Sequence, residues 1–313
     1  LPPWRTGGAF SRPAPGTVTV LRAGGRDTED MNEGMSTAEV DAYLRRLGVG
    51  QPAWPTVDAL RELHLRHLET VPFENLSIHL GEEIVLEEKR LLEKVVEARR
   101  GGFCYELNGV FGALLAALGY DVQMLAARVY GDGGRLGIPY DHLALRVRTV
   151  DGGDWLADVG FGAHFHLPLA FGERGEQEDP GGAFRIAEAG ADAAGVRGGS
   201  DRVEVADLDV SRNGRPVYRL EVRPRVLADF MAGAWWHSTS PASHFTRSPV
   251  CSRITGDGGR ITLSGRRLTV TAPDGTRREH EAGTDEEALA LYRDRFGIVL
   301  DTVPTARGTG TGG

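Results

Sequence analysis

Arg100-Gly101-Gly102-Phe103-Cys104-Tyr105-Glu106-Leu107-Asn108-Gly109 is the stretch on which the reading of this chain turns. Its two adjacent glycines stop whatever precedes them. A cysteine follows at once, and Leu107, Val110, Phe111, Leu114, Leu115 and Leu118 then recur at helical spacing as far as Gly119. Cys104 therefore lies at or near the first turn of a helix. Unpaired N–H groups and the positive end of the helix dipole favour an anion there, so a thiolate is stabilised. The competing reading is a buried, inert cysteine packed as a small hydrophobe. The glycine pair favours the first, because bare backbone lets a substrate approach closely.

Composition narrows the classes. With 313 residues, 41% of them hydrophobic, the chain can bury one large core or two to three smaller ones. Its formal net charge is −8 and no basic run is interleaved with aromatics, which argues against nucleic acid as a partner. Lys89 and Lys94 are the only lysines among many arginines, which reads as coding bias rather than chemistry. Two cysteines, Cys104 and Cys251, make no disulfide framework and fit a reducing cytoplasm. No apolar run approaches membrane-spanning length, and the N-terminal segment lacks the pattern of a secretory signal. The expectation is a soluble, acidic, cytoplasmic protein.

Residues 1–35 are rich in Gly, Pro, Arg and Thr and lack periodicity. Leu1 opens the chain while Met31 and Met35 just precede the first organised segment, so an extended or misassigned start, largely disordered, is expected. Ser36 and Glu39 then form a capping box for a helix with Val40, Tyr43, Leu44 and Leu47 inward, ended by Gly48. Pro55-Thr56 opens a second helix carrying Leu60, Leu63, His64, His67 and Leu68, stopped before Pro72. His64 and His67 could share a face, but nothing nearby supplies further metal ligands, so partly exposed surface histidines are expected. Val71 to Leu76 reads as a loop, and a third helix spans about 86–99. These segments and the Cys104 helix make a small N-terminal bundle.

After Gly119 the pattern changes to short β-branched runs at 122–129, 142–150 and 155–159, bounded by Gly/Asp clusters, which is antiparallel sheet. Residues 172–202 are Gly, Ala and acid-rich, the composition of an exposed or mobile insertion. Strands resume at 203–210, 217–222 and 261–270, and Thr284 with Glu287 caps a last helix bearing Leu289, Tyr292 and Phe296. The Gly/Thr tail from 305 to 313 is expected to be disordered.

A nucleophilic cysteine needs a base, and the base needs a group to orient it. His142 opens a strand beside a Gly/Pro-bearing loop, and Asp158 ends another before Gly160. Singly they read as a surface histidine and a turn residue. Together with Cys104 they read as a thiol triad.

Arg100 to Asn108 resembles the signature of the arylamine N-acetyltransferases of prokaryotic type, and the spacing from Cys104 to His142 to Asp158 agrees. Pro72-Phe73-Glu74-Asn75-Leu76 and Asp158-Val159-Gly160-Phe161-Gly162 resemble two further segments of that family. The likeness spans roughly residues 36–300 and implies an α+β fold. Its parts would be a disordered extension (1–35), a helical bundle with the nucleophile (36–119), a central antiparallel β-barrel (120–225), a C-terminal α/β lid (226–304) and a disordered tail (305–313). It also implies a ping-pong mechanism in which a cysteine takes an acetyl group from acetyl-CoA and passes it to an arylamine or arylhydrazine, without a metal.

By that resemblance Cys104 is the nucleophile, His142 its base and Asp158 the orienter. Phe161 and Gly162 match positions on the acyl and pantetheine path, and Asp141 stands where several members carry a threonine that touches the cofactor. Phe73, Phe103 and Phe161 match aromatics near the acceptor, core packing being the alternative for each. Arg100 and Glu74 could pair beneath the site. Ala234 departs from an asparagine common in the family, and Trp235 and Trp236 read as partly core. Three other readings compete: an amide synthase taking a longer acyl chain from a carrier-bound thioester, a cysteine peptidase or transglutaminase-like protein, and a non-catalytic binding module. The acceptor amine and the oligomeric state stay open.

Overall fold

The computed structural model describes residues 34–162, 165–190 and 207–306. The expected extension up to residue 33, the tail from 307, residues 191–202 of the expected insertion and 203–206 of the strand expected at 203–210 lie outside them.

Helix α1 (Thr37–Leu47) starts where the sequence places it. The Ser36 hydroxyl accepts from Glu39 N–H, and the Glu39 carboxylate takes Ser36 N–H at 2.8 Å. Gly48, at φ 71°, ends it. Helix α2 (Val57–Thr70) buries Leu60 and Leu63, and with them His64 and His67. The histidines are thus interior residues and not the surface pair expected. His64 is bonded at both ring nitrogens, whereas His67 has one partner, the Tyr43 hydroxyl at 2.9 Å from Nε2, and its buried Nδ1 has none among the described residues. Burial holds both in the neutral form, His64 down to about 4.

The segment read as a loop forms strand β1 (Phe73–Glu74) and a short helix α3 (Leu76–Leu80). Helix α4 (Glu88–Leu92) widens into a π turn over Glu93–Glu97, and α5 (Cys104–Ala117) carries the thiol at its first position. Helix α5 is buried on nearly every side, which its apolar run from Leu107 to Leu115 requires.

Eight antiparallel strands follow: β2 (Asp121–Val129), β3 (His142–Arg148), β4 (Asp154–Ala157), β5 (Leu169–Ala170), β6 (Gln177–Asp179), β7 (Gly182–Glu188), β8 (Leu208–Arg212) and β9 (Arg215–Arg225). Their order is β5-β4-β3-β2-β9-β8-β7-β6, a nearly closed barrel. Side chains bridge the remaining seam. The Gln177 amide exchanges hydrogen bonds of 2.7 and 3.0 Å with the backbone of Ala170, and the Asp179 carboxylate accepts from His166 and Leu167 N–H. The strands β6 and β7 overturn the expectation of a patternless insertion from residue 172. Strand β6 has three residues, too few to show a pattern, and β7 alternates only over Phe184, Arg185 and Ile186, inside a glycine-rich stretch. Leu125, Ala127, Leu156, Phe184, Val210 and Tyr218 fill the barrel, while Ala126, Leu143 and Leu145 on the other face of the sheet pack with α5. Strands β2 and β3 are therefore buried on both faces.

Helix α6 (Met231–Thr239) leads to strands β10 (Val250–Ile254), β11 (Arg260–Ser264), β12 (Arg267–Thr271) and β13 (Arg277–Glu281), then to α7 (Asp285–Leu291). The expected single strand over 261–270 is a hairpin. Gly265, at φ 58°, supplies the left-handed conformation that its two-residue turn needs. This second sheet begins with β1, which pairs with β10 as Phe73 opposite Ser252 and Glu74 opposite Cys251. No helix among the described residues is long and apolar enough to cross a membrane.

Candidate active site

The glycines before the thiol serve close packing. A Cβ on Gly101 would lie 1.8 Å from the Pro72 carbonyl oxygen, and one on Gly102 would lie 2.6 Å from the Glu106 carboxylate. Their role is to seat the start of α5 against β1, not to open a path for substrate as the sequence suggested. Arg100 sits beneath this junction, bonded to Glu74 at 3.0 Å and to Glu82 at 3.1 Å. Glu106 reaches back to Phe103 N–H at 3.2 Å and also takes the Lys94 ammonium at 2.7 Å. The helix start is thus fixed by charge pairs whose inner members, Glu74, Arg100 and Glu106, are buried and satisfied.

Cys104 and His142 meet because the first residue of α5 faces the first residue of β3. Asp158, just past β4, accepts from His142 Nε2 at 2.8 Å, which leaves Nδ1 of the ring for the hydrogen bond with Cys104. Burial pushes the His142 imidazolium toward neutrality, but the Asp158 charge, its hydrogen bond and the thiol outweigh that and raise the ring to about 10. At neutral pH the ring therefore keeps its proton, held between the Asp158 carboxylate and the Cys104 sulfur. That is the electrostatic arrangement of an activated thiol.

Three residues that the sequence reading did not assign hold this set. Asn108, one helical turn beyond Cys104, donates to Leu143 O at 2.6 Å and Asp158 Oδ1 at 2.8 Å, and accepts from Val159 N–H at 2.9 Å. One buried amide thus ties the Cys104 helix to the segments that carry His142 and Asp158. His64 Nε2 accepts the Asp158 N–H at 3.1 Å while its Nδ1 donates to His166 O at 2.9 Å. Tyr218, inside the barrel, turns its hydroxyl to the Asp158 carboxylate and its ring to His142 at 5.3 Å between centroids. Asn108 stood in the motif at i+4 from the thiol, a spacing that faces the same side. Nothing local marked His64 or Tyr218. Gly160 is required here, since a Cβ would lie 2.7 Å from Cys104 Cα.

The thiol opens on a cavity of about 1040 Å³. Phe73, Asp141, His142 and Phe161 share its wall with Trp236 and Phe245. Phe161 stands edge-on to His142 at 5.2 Å. Phe103 and Gly162 are set back from the wall. Phe103 is buried edge-on against Tyr105 and Phe245, and Gly162, at φ 88°, abuts the Phe73 ring. Trp235 is 68% exposed on the outer side of α6 and contributes no core. Asp141 spends both oxygens internally, Oδ1 on His237 Nε2 at 2.9 Å and Oδ2 on Val129 N–H at 3.1 Å. Before it, Tyr140 holds φ 58°, a left-handed conformation, while its carbonyl accepts the Tyr105 hydroxyl at 2.7 Å. Among the described residues no group of three or more His, Cys, Asp or Glu could hold a metal ion.

Residues 56–304 match the family model described as N-acetyltransferase. The arylamine N-acetyltransferase of Escherichia coli is 32% identical over 267 residues, covering 85% of this chain and 90% of that one. Among solved structures, the arylamine N-acetyltransferase of Salmonella typhimurium superposes with a TM-score of 0.73 at 32% identity, over 84% of this chain and 92% of that one. The Mycobacterium marinum enzyme in complex with CoA does so at 0.70 and 30% identity, over 83% and 92%. A Cys-His-Asp set beside a cavity and relatives of one kind lead to one assignment: the chain belongs to the arylamine N-acetyltransferase family and is an acetyltransferase.

Proposed function

We propose that Cys104 carries an acetyl group from acetyl-CoA to an arylamine or arylhydrazine in two successive half-reactions, with His142 moving the proton in each. In the first, the Cys104 sulfur attacks the thioester carbonyl. The bond from that carbon to the coenzyme sulfur breaks, and the His142 imidazolium protonates the departing CoA thiolate. In the second, the amine lone pair attacks acetyl-Cys104 and neutral His142 takes the amine proton. The carbon–sulfur bond to Cys104 then breaks, which restores the thiolate beside the imidazolium. Asp158 keeps the ring oriented and balances its charge throughout. The positive end of α5 favours negative charge at the sulfur and on the carbonyl oxygen as it develops.

The observation that carries this reading is the placement of His142 between Cys104 and Asp158 on the wall of a single cavity. One cavity can serve both substrates only in turn, so the coenzyme leaves before the amine enters. We assign Phe73 and Phe161 to contact with the aromatic acceptor, and the stretch from Asp141 to Phe161 to the acyl path. Free thiols at Cys104 and Cys251 fit a reducing compartment, and we place the enzyme in the cytoplasm.

The test is intact-protein mass measurement after exposure to acetyl-CoA without amine. One added acetyl group is expected on the wild type and none on Cys104→Ala. Double-reciprocal plots against an arylamine should give parallel lines. An unmodified wild type that is folded and reduced, or lines that intersect, would remove the thioester route.

A further inference from the structure

Apart from the triad, the charged side chains on the cavity wall are few, and their bookkeeping is uneven. Asp141 is bonded by His237 and Val129, as described above. His244 also lines the wall, and burial, with the charge of His237 nearby, lowers its affinity for a proton. Two arginines remain. Arg128, at the end of β2, gives Nε to the Gly137 carbonyl at 2.9 Å, and its two Nη groups meet no carboxylate among the described residues. Arg135 is exposed in the following loop, and its guanidinium has no hydrogen-bond or ion-pair partner among the described residues.

The two are brought together by the loop itself. Gly137 N–H donates to Val129 O at 2.8 Å, Gly131 N–H donates to Arg135 O at 2.8 Å, and Tyr130 pairs with Leu136. The chain thus returns on itself between Arg128 and Arg135, and both reach the cavity that holds the thiol. Other arginines of the barrel, Arg146 and Arg219, are spent on Asp154 and Asp209. In an acidic protein, two guanidiniums left uncompensated on one cavity wall form a concentrated positive field, and guanidinium geometry suits phosphate or carboxylate oxygens.

We propose that Arg128 and Arg135 form an anion subsite of the catalytic cleft that takes a phosphate or carboxylate group of a substrate. This rests on the acetyl-transfer reading, which supplies two sources for such a group: the phosphates of the coenzyme and an acidic substituent on the acceptor ring. Held at the loop, the anion would sit at one end of the cavity while the reacting end of the same molecule reaches Cys104. The subsite selects and orients. It takes no part in bond making.

Equilibrium binding separates the sources without depending on turnover. Isothermal titration would compare CoA with uncharged pantetheine, and 4-aminobenzoate with its ethyl ester, on wild type, Arg128→Gln, Arg135→Gln and the charge-reversed Arg135→Glu. If coenzyme phosphate occupies the subsite, the CoA preference over pantetheine falls about fivefold in each Gln variant and further in Arg135→Glu. If an acceptor carboxylate occupies it, the aminobenzoate preference over its ester falls by a similar factor. Added salt should weaken the affected pair in the wild type and do so less in the variants. Arg135 is exposed and its side chain has no partner among the described residues, so its variants keep the fold and the comparison stays interpretable. Preferences for charged over uncharged ligand that are unchanged in all three variants would overturn the subsite. Because Cys104 acetylation is read separately by mass, loss of the subsite and loss of the acetyl-transfer reading are distinguishable.

Discussion

Replacing Asn108 by alanine tests how the triad is held. The side chain is fully buried and makes three hydrogen bonds, to Leu143 O, Asp158 Oδ1 and Val159 N–H. Alanine leaves a buried carbonyl and a buried N–H without a partner, and removes one of the donors to Asp158. Leaving a buried polar group unpaired costs about 1–3 kcal/mol, so the loss of stability should be about 3–5 kcal/mol after partial relaxation or entry of water. That is a large part of the roughly 5–15 kcal/mol available to a domain. The triad should suffer separately. Asp158 keeps Gly160 N–H at 3.0 Å and His142, but it loses the link that fixes it relative to the Cys104 helix. A loss of orientation of this kind should lower acylation of Cys104 about 100-fold. Urea denaturation gives the first quantity, and the stopped-flow rate of p-nitrophenol release from p-nitrophenyl acetate gives the second, below the denaturation threshold of the variant. A variant within about 1 kcal/mol of wild type, acylated at the wild-type rate, would show that Asn108 is not the tie between helix and strands.

Three further outcomes follow from the same geometry. In Asp158→Asn, both oxygens of Asp158 now accept, so an amide must turn its NH₂ toward either His142 Nε2 or Asn108 Nδ2, and kcat/KM should fall on the order of 10³-fold or more while circular dichroism shows a folded protein. His142 binds its proton more tightly folded than unfolded, so its contribution to stability is full below about 6.5 and drains away as pH rises through about 10; thermal unfolding of His142→Gln should lack that alkaline decline, and equal declines in both proteins would refute it. Iodoacetamide should label Cys104 well before Cys251, which lies fully buried beside Glu74 with its thiol pushed well above the ordinary range, and equal rates by peptide mapping would contradict an activated thiol.

How much of this was legible in the chain depended on how local each signal was. The start of α5 declared itself through a glycine pair, a cysteine and an uninterrupted 3.6-residue period, all within a short stretch. The capping box of α1 and its end at Gly48 were equally local. Strand β13 was invisible because Arg277 to Glu281 is exposed along its length and shows no alternation. Strand β1 has two residues and owes its existence to β10, far along the chain. The triad's residue types and order were readable, whereas its supports were not. His64 looked like a surface histidine because an imidazole in a helical pattern carries no mark of burial. Its role appears only when Asp158 N–H and His166 O are brought to its two ring nitrogens.

The pairing of β1 sets an order of events during synthesis. Phe73 is bridged to Gly102 on one side and to Ser252 of β10 on the other, and Glu74 N–H donates to the Gly102 carbonyl at 2.8 Å. The thiol leaves the ribosome early, with its helix and most of the groups that fix it. The strand against which that helix is seated stays unpaired along its outer edge until β10 emerges. A nascent chain that stops short of β10 therefore exposes a strand edge beside an accessible cysteine, a combination prone to aggregation and to oxidation.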